Sequence, residues 1–488
     1  MTEPHQASPT DATGTPGPDP AIAAGSGPAP VDLTRPTRVH VIGVGGAGMS
    51  AIAEVLLGTG HRVTGSDLGA SAAADRLAAA GATIHRGHRA EQVAGAEVVT
   101  HSTAIPADNP ELVEAHRLGL PVLRRAEILA TITRSWRTVA VAGTHGKTTT
   151  SAMLTTALRG AGLDPTFIVG GELNDLGRGA AVGQGSILVV EADESDGTFV
   201  DLDASAVVVT NVEPDHLEHY GGFEALEAAF VRFVEQAPDA RVICIDDPGS
   251  ARLAARVSCA TYGTDSAADW RIVDPEPTPA GIAFTVVSGG DRYPIRLDQP
   301  GMHNARNATA ALATAALLGA DPGRAAEALS AFGGVGRRFE ARGEAAGVRL
   351  VDDYAHLPTE VTAALAAARS LDPDRLVVVF QPHRYSRTEQ LWSTFADSFT
   401  RADVLVVTGI YPSGEAPRPG ITGELVAGAV RAAHPDADVR YAPTLDDVVT
   451  ELDGELRASD LCLTLGAGDL TTVPDRVLDD LRRRERDR

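Results

Sequence analysis

Cysteine is scarce in this chain, which has only three in 488 residues. The spacing of Cys244, Cys259 and Cys462 matches neither a paired zinc-ligand motif nor the dense framework of a disulfide-stabilised secreted domain. A protein with few thiols and no disulfide framework fits a reducing compartment. We therefore expect a cytoplasmic protein.

Long apolar runs are also missing. No stretch approaches the roughly 20 consecutive apolar residues that a membrane-spanning helix needs. The N-terminal segment lacks the order of a signal peptide, in which a basic region precedes an apolar one. We expect a protein that is neither exported nor inserted in a membrane.

Positive charge is in the minority. The chain has 42 Lys and Arg against 65 Asp and Glu, which gives a formal net charge of -23 at pH 7. A surface of this charge repels the phosphate backbone of nucleic acids. We expect no nucleic-acid partner, although a local basic pocket for a small anion is compatible with this charge.

The length and the 43% hydrophobic content allow several cores, and we expect three domains. Residues 1–35 are rich in Pro, Ala, Gly, Thr and Asp, so they predict a disordered tail. The expected domains are residues 36–134, 135–335 and 336–482. Residues 483–488 are charged and predict a solvated helix end that frays.

Short β-branched runs alternate with Ala- and Leu-rich stretches of helical period. This alternation predicts an α/β fold with parallel sheets and crossover helices. The clearest strand candidates are residues 38–42, 138–142, 187–190, 206–210, 375–380, 404–408 and 461–465. Each precedes a polar or glycine-rich loop, which is where open parallel sheets bind ligands.

A glycine-rich loop follows the first predicted strand and opens a helix. Its sequence from Gly43 to Ser50 is Gly-Val-Gly-Gly-Ala-Gly-Met-Ser. Glycines at such a turn let backbone amides approach a diphosphate at the helix N-terminus. Asp67, after the next apolar run, is placed where a dinucleotide-binding fold uses an acid to bind ribose. A tight turn without a ligand is the alternative.

A second loop, Gly-Thr-His-Gly-Lys-Thr-Thr-Thr at residues 143–150, joins another predicted strand to a helix. Its amides suit the phosphates of ATP, Lys147 suits the β and γ oxygens, and the hydroxyl of Thr148 suits magnesium. The full consensus has a further glycine where this chain has Val141.

Acidic residues follow the strand at residues 187–190, and Glu191 at its tip is the preferred magnesium ligand. The next strand is followed by Asn-Val-Glu-Pro-Asp-His, in which His216 suits a second metal ligand or a phosphate contact. A solvated acidic loop and a surface histidine are the alternatives.

Further along, Asn304 and Asn307 precede a helix predicted at residues 308–318 and suit hydrogen bonds to a base, with helix capping by Asn304 as the alternative. The last third has the segment Gln-Pro-His-Arg-Tyr-Ser-Arg, residues 381–387, directly after a predicted strand. Arginine forks bind carboxylates and phosphates, so this segment suits an anionic substrate; surface salt bridging is the alternative. Asp469 either holds a substrate ammonium group or makes a turn.

Together these motifs resemble the Mur ligase family over nearly the whole chain between the tails. The segments that carry the resemblance are the two loops above with Glu-Ala-Asp-Glu-Ser-Asp-Gly, His-Asn-Ala-Arg-Asn, Arg-Arg-Phe-Glu and Asp-Asp-Tyr-Ala-His-Leu-Pro-Thr-Glu, in the family's order. No single segment would be sufficient. The loop from Tyr411 to Glu415 differs from the Ala-rich form expected of the family, which affects the expected substrate choice and leaves the reaction type unchanged.

The resemblance implies an N-terminal Rossmann-like domain that binds UDP, a central P-loop ATPase-like domain with a parallel sheet, and a C-terminal Rossmann-like domain that admits the amino acid. It implies ATP- and Mg²⁺-dependent joining of L-alanine to the lactyl carboxylate of UDP-N-acetylmuramate through an acyl phosphate, in peptidoglycan precursor synthesis. Because histidine titrates near neutral pH, we expect His356 or His383 to accept the proton of the amine. Nothing in the sequence decides between a monomer and a homodimer.

The resemblance also implies site residues. For the UDP substrate they are Gly43, Gly45, Gly46, Ala47, Gly48, Ser66, Asp67, Ser102 and Thr103. For ATP they are Gly143, Thr144, His145, Gly146, Lys147, Thr148, Thr149, Asn304, Asn307 and Arg338, and for magnesium Thr148, Glu191 and His216. The catalytic residues are Lys147, His356, His383, Arg384 and Arg387, and the amino-acid site has Tyr354, His356, Arg384 and Arg387.

Three other functions remain open at this stage. One is a ligase that attaches a peptide or another amino acid to the same UDP-sugar. Another is an NAD-dependent dehydrogenase built on the first glycine loop, which would leave the Gly-Lys-Thr loop unexplained. The third is a nucleotide-gated binding protein without catalysis.

Overall fold

The computed structural model of the chain describes residues 31–278 and 280–486. It has three α/β domains, each built on its own sheet. The sheets contain five, ten and six strands. Most neighbouring strands are parallel, so the predicted fold class is confirmed.

The N-terminal domain has a fully parallel five-stranded sheet. Its elements are β1 (Arg38–Ile42), α1 (Ala47–Gly58), β2 (Arg62–Asp67), α2 (Ala72–Ala79), β3 (Thr83–Arg86), β4 (Val98–His101), α3 (Pro110–Arg117), β5 (Val122–Arg124) and α4 (Arg125–Thr133).

The central domain has a ten-stranded sheet that ends in antiparallel strands at both edges. Its elements are β6 (Arg137–Ala142), α5 (Lys147–Gly160), β7 (Thr166–Leu173), β8 (Arg178–Ala181), β9 (Ile187–Glu191), β10 (Ala206–Val209), α6 (Leu217–Tyr220), α7 (Phe223–Glu235), β11 (Ala240–Cys244), α8 (Pro248–Ala254), β12 (Ala260–Gly263), β13 (Trp270–Pro277), β14 (Ile282–Ser288), β15 (Asp291–Leu297), α9 (Met302–Leu317) and α10 (Pro322–Ser330).

The C-terminal domain has a six-stranded sheet in which only β16 is antiparallel to its neighbour. Its elements are β16 (Glu340–Ala345), β17 (Val348–Asp353), α11 (Pro358–Arg369), β18 (Arg375–Phe380), α12 (Tyr385–Leu391), β19 (Val404–Thr408), α13 (Glu424–Ala433), β20 (Asp438–Ala442), α14 (Leu445–Glu455), β21 (Asp460–Leu465) and α15 (Val473–Arg486).

The strand orders in the three sheets are β3-β2-β1-β4-β5, β15-β14-β13-β12-β11-β10-β6-β9-β7-β8 and β16-β17-β21-β18-β19-β20. The predicted strands are confirmed to within one residue at each end. Strands such as β10 and β19 are buried along their whole length, because helices cover both faces of a parallel sheet. This explains why they are nearly continuous runs of Val, Leu and Ala in the sequence.

The predicted start of the helix that follows Asn307 was wrong. Helix α9 begins at Met302 rather than at residue 308, so Asn304 and Asn307 lie within its first turns. The residue that precedes the helix is Gly301, with a φ of 99°, and Asn304 is therefore not its cap. Its side-chain amide instead donates to the carbonyl of Pro300 at 2.8 Å.

The predicted tails fall at the limits of the described chain. Residues 1–30 of the predicted disordered tail lie outside it, and residues 31–35 contain neither helix nor strand. At the other end, α15 continues to Arg486, so most of the predicted charged tail is helical. The domain boundaries at residues 134 and 335 stay predictions.

The N-terminal and central domains share one hydrophobic core. Ile52 and Leu56 of α1 belong to the same cluster of buried side chains as Ile168 of β7 and Leu188 of β9. The C-terminal domain has two clusters of its own, one on each face of its sheet. Among the described residues, no such cluster joins the central domain to the C-terminal domain.

Over residues 31–278 and 280–486, none of the helices combines the length and the apolar character needed to cross a bilayer.

Candidate functional site

The phosphate loop connects β6 to α5 and depends on two glycines in the left-handed region of φ. Gly146 precedes α5 with a φ of 80°, and Gly143 has a φ of 130°. A Cβ atom on Gly143 would lie 2.1 Å from the hydroxyl of Thr210, so the loop and the end of β10 are in close contact. The loop amides at the start of α5 form an anion site of the kind that phosphates occupy.

Lys147 lies inside this loop and is largely buried. Its ammonium group donates to the carbonyl of Gly143 at 2.7 Å and lies 2.9 Å from both carboxylate oxygens of Glu194. Burial lowers the pKa of Lys147, but the charges of Glu194, Asp193 and Glu191 outweigh it and raise the pKa. The lysine is therefore charged, as a phosphate contact requires.

Two of the three predicted magnesium ligands lie side by side. The hydroxyl of Thr148 is 3.1 and 3.0 Å from the two carboxylate oxygens of Glu191. His216 lies apart from them. Its Nε2 is 3.3 Å from Asp215, and both residues line a cavity to which Thr148 and Glu191 do not contribute. Within the described part of the chain, no group of three or more His, Cys, Asp and Glu side chains is arranged to hold a metal ion.

His145 joins the phosphate loop to the C-terminal domain. Its Nδ1 lies 3.1 Å from Glu360 at the start of α11, and its Nε2 lies 2.9 Å from Thr359 and 3.3 Å from Glu213. Burial lowers the pKa of the imidazole, but the hydrogen bonds to Glu213 and Glu360 outweigh it and raise the pKa to about 10. A charged imidazole therefore bridges two carboxylates from different domains.

A cavity of about 320 Å³ lies beside the loop and is lined by both the central and the C-terminal domain. Asn304 and Asn307 both line it, as predicted for a base-binding face, and Gly146 would place a Cβ 2.7 Å from the side-chain oxygen of Asn307. Arg338 reaches across from the C-terminal domain, where a guanidinium nitrogen lies 3.3 Å from the hydroxyl of Thr148.

Aromatic and basic side chains cluster where β17 and β18 end. The guanidinium groups of Arg337 and Arg338 lie 4.9 and 4.8 Å from the centre of the Tyr354 ring, one cation–π contact each. The rings of His356 and His383 are 5.6 Å apart, and His383 stacks on Tyr411 at 5.8 Å. The structure therefore brings the predicted reacting-end residues together.

A second cavity of about 560 Å³ lies on the other side of His145. Arg384 and Arg387 line it from the C-terminal domain, opposite Thr144 and His145. The side chains of His145 and Thr359 line both cavities, so they form part of the wall between them. Asp469 is bonded to Gln381 at 2.8 Å.

The N-terminal glycine loop lies at the carboxyl ends of β1 and β2. The amides of Gly43 and Val44 donate to the carbonyl of Ser66, and the amide of Gly45 donates to Asp67 at 2.9 Å. Ser102 lies against Gly43, since a Cβ there would be 3.2 Å from the Ser102 side chain. Asp67 therefore shapes the loop itself.

The remaining predicted UDP contacts are less uniform. The side chain of Ser66 is fully buried and donates to Glu111 at 2.6 Å, whereas Thr103 is exposed. Gly46 precedes α1, while Ala47 and Gly48 form its first turn. A ligand contact for each of these residues stays a prediction.

Sequence reasoning missed three charged side chains at these sites. Glu194 pairs with Lys147, Glu360 pairs with His145, and Arg125 lies so close to Gly48 that a Cβ there would be 2.7 Å from the guanidinium group. Glu194 lies in the same acidic segment as Glu191, the predicted magnesium ligand. Glu360 and Arg125 carry no local signal of their partners, which lie far away in the sequence.

Three family models match the chain in order. Residues 38–137 match the Mur ligase family catalytic domain, residues 141–315 the Mur ligase middle domain and residues 337–468 the Mur ligase glutamate ligase domain. A curated relative, the UDP-N-acetylmuramate--L-alanine ligase of Solidesulfovibrio magneticus, is 48% identical over 444 residues, which are 89% of this chain and 96% of the relative.

Solved structures agree with these matches. The crystal structure of UDP-N-acetylmuramate-alanine ligase from Thermotoga maritima is similar with a TM-score of 0.78 and 28% identity, over 92% of this chain and 100% of that one. A murein peptide ligase from Psychrobacter arcticus shares the fold, with a TM-score of 0.66 and 24% identity over 91% of this chain and 99% of that one. The predicted family is confirmed, and the chain belongs to the Mur ligase family.

Proposed function

We propose that the chain is an ATP-dependent ligase that joins L-alanine to the lactyl carboxylate of UDP-N-acetylmuramate, for peptidoglycan precursor synthesis. The observation that carries the proposal is the contact between Arg338 of the C-terminal domain and Thr148 of the phosphate loop, at 3.3 Å. Arg338 also lies 4.8 Å from the ring centre of Tyr354, which supports a reacting end beside the loop that suits ATP. The 48% identical ligase from Solidesulfovibrio magneticus supports the choice of substrates.

The side chains at the phosphate loop also fit a magnesium ion. The Thr148 hydroxyl and the Glu191 carboxylate are hard oxygen donors within 3.1 Å of each other. Mg²⁺ usually takes only one or two protein ligands and completes its shell with water and phosphate oxygens. A pair of protein ligands is therefore sufficient, and a group of three among the described residues is not required. When bound, the ion neutralises charge on the phosphate oxygens.

The reaction begins with two anions that repel each other. The substrate carboxylate attacks the γ-phosphorus of ATP to give an acyl phosphate and ADP, and the amine of alanine then displaces phosphate. Lys147, Arg338, Arg384 and Arg387 supply fixed positive charge for these steps, and such positioning is the main resource in phosphoryl transfer. The two-domain cavity limits access of water, which would hydrolyse the acyl phosphate.

An amino-acid panel tests the proposal. ADP release is measured with ATP and UDP-N-acetylmuramate, in the presence of L-alanine, glycine, L-serine, D-glutamate or a tripeptide. L-Alanine should give the highest kcat/KM. A preference for the tripeptide would instead identify the chain as a peptide ligase. The murein peptide ligase from Psychrobacter arcticus shares the fold of this chain.

Replacement of the loop lysine tests the role of the loop. Lys147→Ala removes the charge that faces the phosphates, so L-alanine-dependent ADP release should fall about a hundredfold or more. Arg159→Ala, an exposed cation at the other end of α5, should leave the rate unchanged. Equal rates for Lys147→Ala and the unmodified enzyme would contradict the proposed use of this loop.

A further inference from the structure

Two histidines lie where the amine would react, and the proposed function alone does not say which accepts its proton. His356 lies just before α11 and His383 just after β18, with ring centres 5.6 Å apart. Neutral histidine carries a proton on one ring nitrogen and a lone pair on the other. The hydrogen bonds around each ring therefore decide which nitrogen is able to act as a base.

In His356, Nδ1 faces only acceptors. It lies 3.1 Å from the backbone carbonyl of Tyr354 and 3.5 Å from a carboxylate oxygen of Glu360. Neither oxygen has a proton to give, so Nδ1 carries the proton and donates it. The lone pair of the neutral ring is consequently on Nε2, which is the arrangement of a base held in place by an acceptor on its other side.

In His383 the arrangement is reversed. Its Nδ1 lies 3.2 Å from a guanidinium nitrogen of Arg387. A guanidinium group only donates, so Nδ1 of His383 is the acceptor and Nε2 carries the proton. The single lone pair of this ring is already used by Arg387.

The charges around the two rings agree with this assignment. Those that face His356 are Glu360 on α11, Tyr354 in the preceding loop, His383 and Arg387 after β18, and Arg338 before β16. Burial lowers the pKa of His356, with Arg387 and Arg338 adding to the shift and Glu360 opposing it. Burial, together with His356 and the arginines, lowers the pKa of His383 to about 3, which makes it a much poorer proton acceptor.

We propose that Nε2 of His356 accepts the proton that the attacking amine loses, and that Glu360 is the positioning residue that holds the backbone at His356. The inference rests on the proposed ligase reaction. As alanine's ammonium gives one proton to Nε2, the nitrogen lone pair forms a bond to the carbonyl carbon of the acyl phosphate. The bond from that carbon to oxygen breaks, its electron pair leaves with phosphate, and the second proton shed by nitrogen goes to a phosphate oxygen.

Glu360 also connects the base to the nucleotide side of the site. One carboxylate oxygen accepts the amides of His356 and Leu357, at 2.9 and 3.1 Å, while the other lies 3.1 Å from His145 of the phosphate loop. The carboxylate thus holds the backbone at His356 and the phosphate loop at once. This ties the orientation of the base to the loop that suits ATP.

Hydroxylamine separates the base from the rest of the reaction. It is largely uncharged at neutral pH, so it attacks an acyl phosphate without first giving up a proton to the enzyme. The experiment measures hydroxamate formation with hydroxylamine and amide formation with L-alanine, on full-length enzyme with ATP, Mg²⁺ and UDP-N-acetylmuramate. At saturating L-alanine, the ratio of the two rates is insensitive to acyl phosphate formation and to the affinity for alanine, so it reports on proton acceptance.

His356→Gln should lower L-alanine ligation about a hundredfold or more while hydroxamate formation changes little, since general base catalysis typically contributes that much. In the pH profile of ligation, the rise in rate that accompanies loss of a proton from His356 should also disappear. Glu360→Gln still accepts the two amides and should show a smaller selective loss. His434→Gln, a surface histidine paired with Asp397, is the matched control and should keep the ratio of the unmodified enzyme.

An unchanged ratio in His356→Gln, or a selective loss of ligation in His383→Asn instead, would overturn the inference. A loss of both activities in proportion would show a structural role for His356 and overturn it too. Failure of the unmodified enzyme to form hydroxamate would contradict the proposed acyl phosphate reaction itself. The two kinds of failure are therefore distinguishable.

Discussion

At the scale of single residues, the N-terminal domain buries one carboxylate, Glu111, among polar groups. One oxygen accepts the Ser66 hydroxyl at 2.6 Å and lies 3.1 Å from His88, and the other lies 3.7 Å from His40. Burial raises the pKa of Glu111, but the nearby His40 and the hydrogen bonds with Ser66 and His88 outweigh it, so the pKa is lowered. Ser66 also accepts the amides of the glycine loop through its carbonyl, so this carboxylate supports the loop from behind.

Removal of this carboxylate should destabilise the domain. Glu111→Ala removes the buried acceptor of the Ser66 hydroxyl and a hydrogen-bond partner of the half-buried His88, which typically costs about 1–3 kcal/mol. Glu114→Ala on the same helix removes only a surface pair with Arg117 and should leave the protection close to that of the unmodified domain. Hydrogen exchange of the β1 and β2 amides measures both, and equal protection in the two variants would contradict the assigned role.

His303 at the start of α9 should make the central domain sensitive to acid. Burial, with a contribution from Arg306, lowers its pKa from 6.5 to about 4. The unfolded chain takes up the proton first, so stability is lost as the pH falls from about 6.5 towards 4, on the order of 3 kcal/mol. His303→Asn should reduce the difference between urea midpoints at pH 7 and pH 4.5, and an unchanged difference would contradict this.

Residues within one motif were predictable, and partners from distant segments were not. Lys147 and Thr148 follow from a contiguous loop after a strand, since the loop itself creates the phosphate site. Glu360 lies 215 residues from His145, and only the packing of two domains brings them together. A glutamate in the first turn of a helix indicates a capping interaction, and Glu360 makes one with the amide of Leu357. Nothing in the local sequence indicates that Glu360 also contacts His145.

At the scale of elements, the turn between β6 and α5 tolerates no side chain at its first glycine. Gly143→Ala would place a methyl group 2.1 Å from the Thr210 hydroxyl and on a φ of 130°, so the loop must shift. We expect kcat/KM for ATP to fall at least about tenfold, equivalent to roughly 1.4 kcal/mol.

Gly162→Ala provides the control for this change. Gly162 also has a positive φ, 86°, but a Cβ there has nothing within 4 Å. It should cost about 1 kcal/mol of stability from backbone strain and leave kcat/KM unchanged. Equal kinetic losses in the two variants would show that strain, rather than the contact with Thr210, explains the effect.

Elements with one strong local signal were predicted well, and α9 shows where such signals fail. Its first turns, with Asn304, Arg306 and Asn307, are polar, so they resemble a loop in the sequence. Two contacts support the helix: Asn304 donates to the carbonyl of Pro300 just before it, and Arg306 pairs with the distant Asp246 at 2.6 Å. Strands such as β18 needed no such partner, because their buried aliphatic runs already specify them.

At the scale of the whole molecule, the three domains are not equally independent. The N-terminal and central domains share one core, whereas the C-terminal domain buries its own side chains and meets the central domain through hydrogen bonds and a close approach of Ala367 to Gly301. Separation of the first two domains would expose Ile52, Leu56 and their neighbours. Each such side chain costs about 1.5–3 kcal/mol when exposed.

Fragments should reflect this difference. A fragment of residues 337–486 should fold on its own, and so should one of residues 31–335, whereas residues 31–134 alone should not unfold cooperatively. Urea unfolding and the dispersion of amide NMR signals measure this. A cooperative transition for residues 31–134, or none for residues 337–486, would contradict the inequality.

The three domains meet at two interfaces of different chemistry. The interface between the N-terminal and central domains is apolar and becomes more stable in strongly hydrated salts. The interface between the central and C-terminal domains contains the ion pairs of His145 with Glu213 and Glu360. These side chains are partly exposed, so dissolved ions screen their charges and weaken the interface. Higher ionic strength therefore weakens the ionic interface without weakening the apolar one, so a salt titration should loosen the C-terminal domain without any mutation.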